Sequence, residues 1–192
     1  MSLFHRPSLE ERFTEMASRH ERMIYLLCLR MTGNREDALD CAQETLLRAY
    51  RAYGSFHGRS GEKTWLYRIA YNTCVDLLRR RRPSHVSLEE MQEKGYDPAD
   101  TRIPMPGERL EKEELRRQIL EALALLPEDQ RAAVILRDFQ QMPYEEIARI
   151  LEISEGTVKS RLSRGREKIK NFLIRAEQNG YSSVKEDEGR QE

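Results

Sequence analysis

Residues 154–172 constrain the fold more tightly than any other stretch of the chain. Val158, Leu162, Gly165, Ile169 and Phe172 recur at i, i+4, i+7, i+11 and i+14, which at about 100° per residue puts them on one narrow helical face. Lys159, Ser160, Ser163 and Arg164 point the other way. Ser154 is a favourable N-cap, and Glu155 in the first turn suits the positive end of the helix dipole. A shorter apolar stripe, Ile147, Ala148 and Leu151, comes just before it; it starts after Pro143, a residue suited to a helix's first turn. Small Ala148 marks where two crossing helices can come close, and Glu152 stands where such a turn often takes Gly. Two short helices joined by a tight turn, the second bearing cations and small hydroxyls on its first two turns, read as a helix-turn-helix. Arg and Lys reach guanine edges in the major groove, and Ser lets the helix approach. The competing form is an amphipathic helix with a merely solvated face; the preceding helix tips the balance toward a DNA reader.

The zero net charge of the 192-residue chain conceals segregation. Residues 1–82 hold 15 Lys/Arg against 10 Asp/Glu, residues 83–128 hold 6 against 11, residues 129–176 hold 10 against 7, and residues 177–192 hold 2 against 5. An acidic block thus separates two basic ones. Within it, residues 83–106 lose helical periodicity and collect Pro83, Gly95, Pro98, Pro104 and Pro106, a composition that cannot bury enough apolar surface to fold alone. The expected fold is all-α: two small helical domains, at 1–82 and 113–177, joined by a flexible acidic, Pro-rich linker at 83–112. A polar acidic tail at 178–192 is expected to fray. No run of about 18 apolar residues and no apolar signal core occurs, which points to a cytoplasmic protein. Cys28, Cys41 and Cys74 lack metal-ligand spacing and read as buried thiols.

Helical patterns cover about 8–31, 35–53 and 63–82 of the first domain. In the second of these, Leu39, Ala42, Leu46, Ala49 and Tyr53 are the expected core face, and Asp40, Glu44, Leu47 and Arg51 form a separate stripe, either surface or a partner-helix contact. In the third, Leu66, Ala70, Thr73 and Leu77 are the expected core. Trp65, Arg68, Asn72, Asp76 and Arg79 share another face, whose aromatic, amide and guanidinium groups suit a single strand, although Trp65 itself reads better as core. The run Arg79 to Arg82 exceeds what a helix dipole asks for.

Asp40-Cys-Ala-Gln43-Glu44-Thr-Leu-Leu-Arg48-Ala-Tyr50, then Ser55-Phe56, Thr64-Trp-Leu-Tyr-Arg-Ile-Ala70-Tyr-Asn72 and Leu126-Pro127 with the helix-turn-helix together resemble the bacterial ECF (extracytoplasmic function) sigma factors, small members of the sigma-70 family. The resemblance implies a dissociable initiation subunit of RNA polymerase, not an enzyme, with no cofactor, metal or small-molecule substrate. It implies a sigma2-like first domain and a sigma4-like second one. Asp40, Gln43, Glu44 and Leu47 would dock on the clamp helices of the polymerase β′ subunit, and the β flap would be a further contact. Phe56, His57, Gly58, Arg59, Ser60, Gly61, Arg68, Asn72 and Arg79 would take the melted single strand of the promoter −10 element. Lys159, Ser160, Ser163 and Arg164 would read the −35 element as duplex. The family also implies an anti-sigma factor, often one that holds its partner at the inner face of the membrane. Glu62 departs from the pattern, standing where family members usually carry an aromatic, and this bears on how the loop before it packs.

Two other classes fit part of the pattern. An operator-binding regulator would use the helix-turn-helix but needs a dimerisation or sensor module, which the first domain does not resemble. A recombinase-like enzyme would need a nucleophile with a basic catalytic cluster; His5, His20, His57 and His85 have no evident partners for such a role.

Overall fold

Ser8 opens the first helix with a reciprocal cap: its hydroxyl accepts the Glu11 amide at 3.1 Å, while the Glu11 carboxylate accepts the Ser8 amide at 2.7 Å. Two of the orphan donors at the helix start are thereby satisfied. The computed structural model describes residues 7–56, 58, 61–81 and 108–188, with 108–114 and 179–188 described by backbone alone. Helix α1 (Leu9–Thr32) stops at Gly33, whose φ of +70° lets its amide turn back to the Leu29 carbonyl at 2.8 Å; a side chain there would oppose that left-handed conformation. Asn34 then caps α2 (Arg35–Tyr53) through the Asp37 amide. Helix α3 (Glu62–Arg81) completes a three-helix bundle.

The core of this bundle is made of Met16, Ile24, Leu27 and Met31 from α1, Ala38, Cys41, Thr45 and Ala49 from α2, and Leu66, Tyr67, Ala70 and Cys74 from α3. Each buried large aliphatic side chain contributes about 1.5–3 kcal/mol by leaving water. The expected core face of α2 is rotated by about one residue. Leu39 is 44% exposed, and the small residues Ala38, Cys41, Thr45 and Ala49 point inward instead. Small side chains let α2 lie close to its neighbours, and a residue count weighted toward large apolar groups misplaces the face. On α3 the buried set likewise takes in Tyr67 and Cys74, whereas Leu77 is only partly buried. Each helix contributes one cysteine. Hydrogen bonding to Cys74 and burial push the Cys41 thiol well above the usual range, and hydrogen bonding to Cys28 and burial raise Cys74 against the opposing effect of Cys41. They are packing residues in thiol form, as expected.

The second bundle comprises α4 (Glu108–Ala124), α5 (Glu128–Val134), a π-helical turn (Ile135–Phe139), α6 (Tyr144–Leu151) and α7 (Glu155–Glu188). No strand occurs among the described residues. Helix α4 begins inside the stretch read as linker, and α7 continues through most of the stretch read as a fraying tail. A predominantly polar segment leaves little signature in hydrophobic periodicity, which is why the sequence reading ends this helix near 177.

The two bundles pack on one another, α1 against α4 and α5 and α3 against α6. Arg131, 8% exposed, donates to the Ala124 and Leu126 carbonyls of its own bundle at 2.6 and 3.0 Å and to the Met31 carbonyl at the end of α1 at 2.5 Å. A buried guanidinium is tolerated because carbonyl oxygens replace its water.

Candidate functional site

Three separate surfaces carry the residues singled out by the sequence. On α2, Asp40 and Gln43 are exposed and Leu47 is 51% exposed. Leu39 and Tyr50 join them on the same side, so the stripe is more apolar than the sequence reading allowed. Once the inward face is recognised as small residues, both fall outward at helical spacing. Glu44 is not free: Arg48 Nε donates to its carboxylate at 2.7 Å while Arg48 Nη1 reaches Asp76 on α3 at 3.0 Å. That hydrogen bond holds the Glu44 carboxyl below its ordinary range and raises Arg48 in turn. The arrangement fixes the stripe's anionic edge relative to α3.

The second surface lies where α2 turns into α3. Phe13, Tyr53, Phe56 and Trp65 form an aromatic chain, with Phe56 stacked on Trp65 at 4.6 Å between centroids and Phe13 edge-on to Tyr53 at 5.3 Å. Offset and edge contacts of this kind suit the ring quadrupoles. Phe56 is thereby seated on the bundle, and Trp65 packs against the core, as preferred from the sequence. Gly58 has a φ of +69° and is exposed; Gly61 leads into α3 by accepting the Trp65 amide at 3.1 Å. His57, Arg59, Ser60 and Arg82 lie outside the described residues. Glu62 is held to α1 by Arg19 at 3.4 Å and His20 at 3.3 Å, so an ionic tie anchors the start of α3 at this position.

The α3 stripe read from the sequence is divided. Trp65 packs inward, Arg68 pairs with Glu152 of the second bundle, and Asp76 pairs with Arg48, leaving Asn72 and Arg79 facing solvent. In the basic run, Arg81 is bound to the buried carboxylate of Asp37. Neither of these last two pairings could be read from spacing, because the partners are far apart in sequence.

The third surface is the helix-turn-helix formed by α6 and α7. Ile147, Ile150 and Leu151 of α6 and Val158, Leu162 and Gly165 of α7 are buried against each other and α5. Glu152 makes the turn with a φ of +55°, and Ser154 caps α7 through the Thr157 amide at 3.2 Å. Lys159, Ser160, Ser163 and Arg164 are all exposed on the opposite face, and the Ser160 hydroxyl donates back to the Thr157 carbonyl at 2.9 Å. Two positioning pairs escaped the sequence reading. Arg161 binds Asp129 at 3.0 Å, and Arg166 grips Asp138 through two nitrogens, an interaction that raises the Arg166 pKa. The first ties α7 to α5 and the second to the π-helical turn that follows it, and together they fix the roll of α7 and the direction of its cationic face. An apolar groove lined by Ile119, Phe139, Ile169, Leu173 and Ile174 opens beside them.

No cluster of His, Cys, Asp and Glu fit to hold a metal occurs among the described residues, nor is any helix there long and apolar enough to cross a membrane. What the fold does offer is a helix with cations and small hydroxyls on its outer face in one bundle and an aromatic and polar surface in the other.

The family described as Sigma-70 region 2 matches residues 16–83, and that described as Sigma-70, region 4 matches residues 116–169. Fold and surfaces therefore define a transcription initiation factor of the sigma-70 type. The RNA polymerase sigma-H factor of Pseudomonas aeruginosa is 38% identical over 84% of this chain and 86% of its own length. The ECF RNA polymerase sigma-E factor of Haemophilus influenzae is 35% identical over 84% of this chain and 87% of its own. Among solved structures, the sigma factor RpoE of Bartonella quintana, bound to the anti-sigma factor NepR, is 26% identical, with a TM-score of 0.67 over 85% of this chain and 97% of that one. The chain belongs to the ECF sigma factors of bacterial RNA polymerase, which are not enzymes.

Proposed function

We propose that this sigma factor divides promoter recognition between its two bundles. The second bundle reads −35 duplex through Lys159, Ser160, Ser163 and Arg164, and the first holds the melted −10 strand through the loop from Phe56 to Gly61 together with Arg68, Asn72 and Arg79. The observation that carries this reading is the placement of Lys159, Ser160, Ser163 and Arg164 on the outer face of α7, above a buried Val158–Leu162–Gly165 seam. Cations and small hydroxyls on the first two turns of the second helix suit major-groove edges. Unstacking DNA costs a few kcal/mol per step, so a surface that binds the strand only once it is unpaired shifts the equilibrium toward the open state.

The α2 stripe of Leu39, Asp40, Gln43, Glu44, Leu47 and Tyr50 is the proposed seat for the clamp helices of the polymerase β′ subunit: an apolar centre with an anionic edge suits a helical partner bearing cations. The apolar groove beside α7 suits the β flap. An anti-sigma factor is a further proposed partner, on the strength of the RpoE–NepR likeness, and the proposed location is the cytoplasm, or the inner face of the membrane if the anti-sigma factor is held there. The domains behind this division are 1–82 and 113–177. Run-off transcription with purified core polymerase on genomic fragments tests the proposal: start sites sharing −35 and −10 sequences are expected, and a chain that binds core without selecting start sites contradicts it.

A further inference from the structure

We infer that Glu62 is a specificity-determining residue of the −10 surface: tied to α1 by Arg19 and His20, it fixes where the loop from Phe56 to Gly61 ends, and so which base that loop accepts. The inference rests on the reading of that loop as the holder of the melted strand. Glu62 is the first residue of α3 and directly follows Gly61. One of its oxygens, Oε2, receives two partners: Arg19 Nη2 at 3.4 Å and His20 Nε2 at 3.3 Å. A carboxylate can only accept, so the His20 ring is the donor in its contact. An acidic residue in a helix's first turn suits the dipole wherever its side chain points. The dipole does not ask for two donors from another helix converging on one oxygen.

The other end of the loop is held from α1 as well. Phe13 lies edge-on to Tyr53 at 5.3 Å, Tyr53 stacks with Phe56 at 6.4 Å, and Phe56 with Trp65 at 4.6 Å. Phe13 and His20 are seven residues apart, which puts them on one face of α1 with a rise of about 10 Å between them. Helix α1 is thus a splint, with a ring-on-ring hold at the loop's start and an ionic hold at its end. Only residues 57–61 join the two holds. For so short a span the placement of each end bears directly on how the loop meets a base.

The tie is too open to the solvent to matter much for stability. The side chains of Arg19, His20 and Glu62 are 54%, 20% and 32% exposed, and exposed pairs of this kind contribute little to folding. Their effect is on position and charge. Holding both ends in place beforehand lowers the ordering cost of binding a base. It also favours the base that fits the held geometry over those that would need the loop to shift. A bare carboxylate beside a strand-holding surface would repel phosphate; Arg19 and His20 counter that charge from α1 and leave Asn72 and Arg79 of α3 exposed to the strand.

The test compares the full chain as wild type, as Glu62→Gln, as Arg19→Ala with His20→Ala, and with all three changes together; alanine keeps α1 helical. Trp65 is the chain's one tryptophan, so its emission and its quenching by acrylamide report the stack with Phe56 in the free protein. Base preference is read with saturating core polymerase, by transcription from templates that differ at single −10 positions. Glu62→Gln and the α1 double variant should shift the Trp65 signal alike. Each should relax preference at one −10 position by about two- to fivefold, the range that an exposed ion pair supports. The combined variant should do no more than either, because each breaks the same tie. Unchanged emission or unchanged preference in the two variants overturns the inference. So do effects that add in the combined variant, since Glu62 would then act through the start of α3 alone. Asn72→Ala measured alongside separates the two layers. If it shifts −10 preference and Glu62→Gln does not, only the tie fails. If neither shifts preference although emission responds, the −10 reading of this surface fails and the role of Glu62 with it.

Discussion

Gly165 of α7 and Val134 of α5 lie so close that a methyl group built on residue 165 would stand 2.8 Å from Val134 Cγ2. Val134 is itself buried, and the backbone oxygen of Gln130 is 3.5 Å from the same point. Helix α7 therefore crosses α5 at a distance only glycine permits.

Gly165→Ala should consequently destabilise the second bundle. Overpacking costs about 1–3 kcal/mol and is expected to exceed the ~1 kcal/mol of helix propensity that alanine brings. Denaturant unfolding of the single variant and of Gly165→Ala with Val134→Ala checks this: the midpoint should fall in the first and partly recover in the second. An unchanged midpoint in the single variant contradicts the tight crossing.

Leu47→Ala and Glu44→Arg should each weaken binding to core polymerase by about 1–3 kcal/mol without altering helicity, since both side chains point away from the bundle's centre. Calorimetric or fluorescence titration against core measures it. Unchanged affinity in both variants removes α2 from the interface.

Glu44 also makes a prediction in pH. Its folded carboxyl titrates below the ordinary value because Arg48 hydrogen-bonds the charged form, so the pair's contribution is present above the ordinary carboxylate pKa of about 4.3 and is lost as pH falls through the lowered folded value. In Arg48→Met, carboxyl carbon NMR should show Glu44 returning toward that ordinary value. A titration unmoved by the substitution would mean that Arg48 does not hold it.

Much of the fold was legible because local chemistry fixes it. The Ser8–Glu11 cap, the Gly33 stop, the Asn34 cap and the Ser154 cap mark helix ends that sequence rules recognise. The Val158–Leu162–Gly165 seam followed from period alone. Leu39 was misplaced because α2 buries small residues, for which hydrophobic patterning gives a weak signal. The pairs Arg68–Glu152, Tyr67–Gln140 and Arg131–Met31 could not be seen at all. They join residues far apart along the chain, and their existence depends on how two bundles dock, which no local pattern encodes.

Arg131→Met should cost about 2–4 kcal/mol. It keeps most of the aliphatic stem but leaves the Met31, Ala124 and Leu126 carbonyls without their charged donor, and buried acceptors stranded in this way carry a desolvation penalty. Thermal or chemical unfolding measures the loss; a drop below about 0.5 kcal/mol, the scale of an ordinary surface change, argues that water substitutes freely.

The division of labour between bundles is tested most directly by transcription from one promoter in two forms, fully duplex and with a premelted −10 bubble, using wild type, Arg164→Ala and Asn72→Ala. Arg164→Ala should lose about 1–3 kcal/mol of promoter affinity and relax preference at one −35 position, on both templates alike. Asn72→Ala should bind −35 duplex normally and fail at opening, and the bubble, which removes the melting cost, should restore part of its activity. Equal loss of duplex affinity in the two variants, with neither responding to the bubble, contradicts the account.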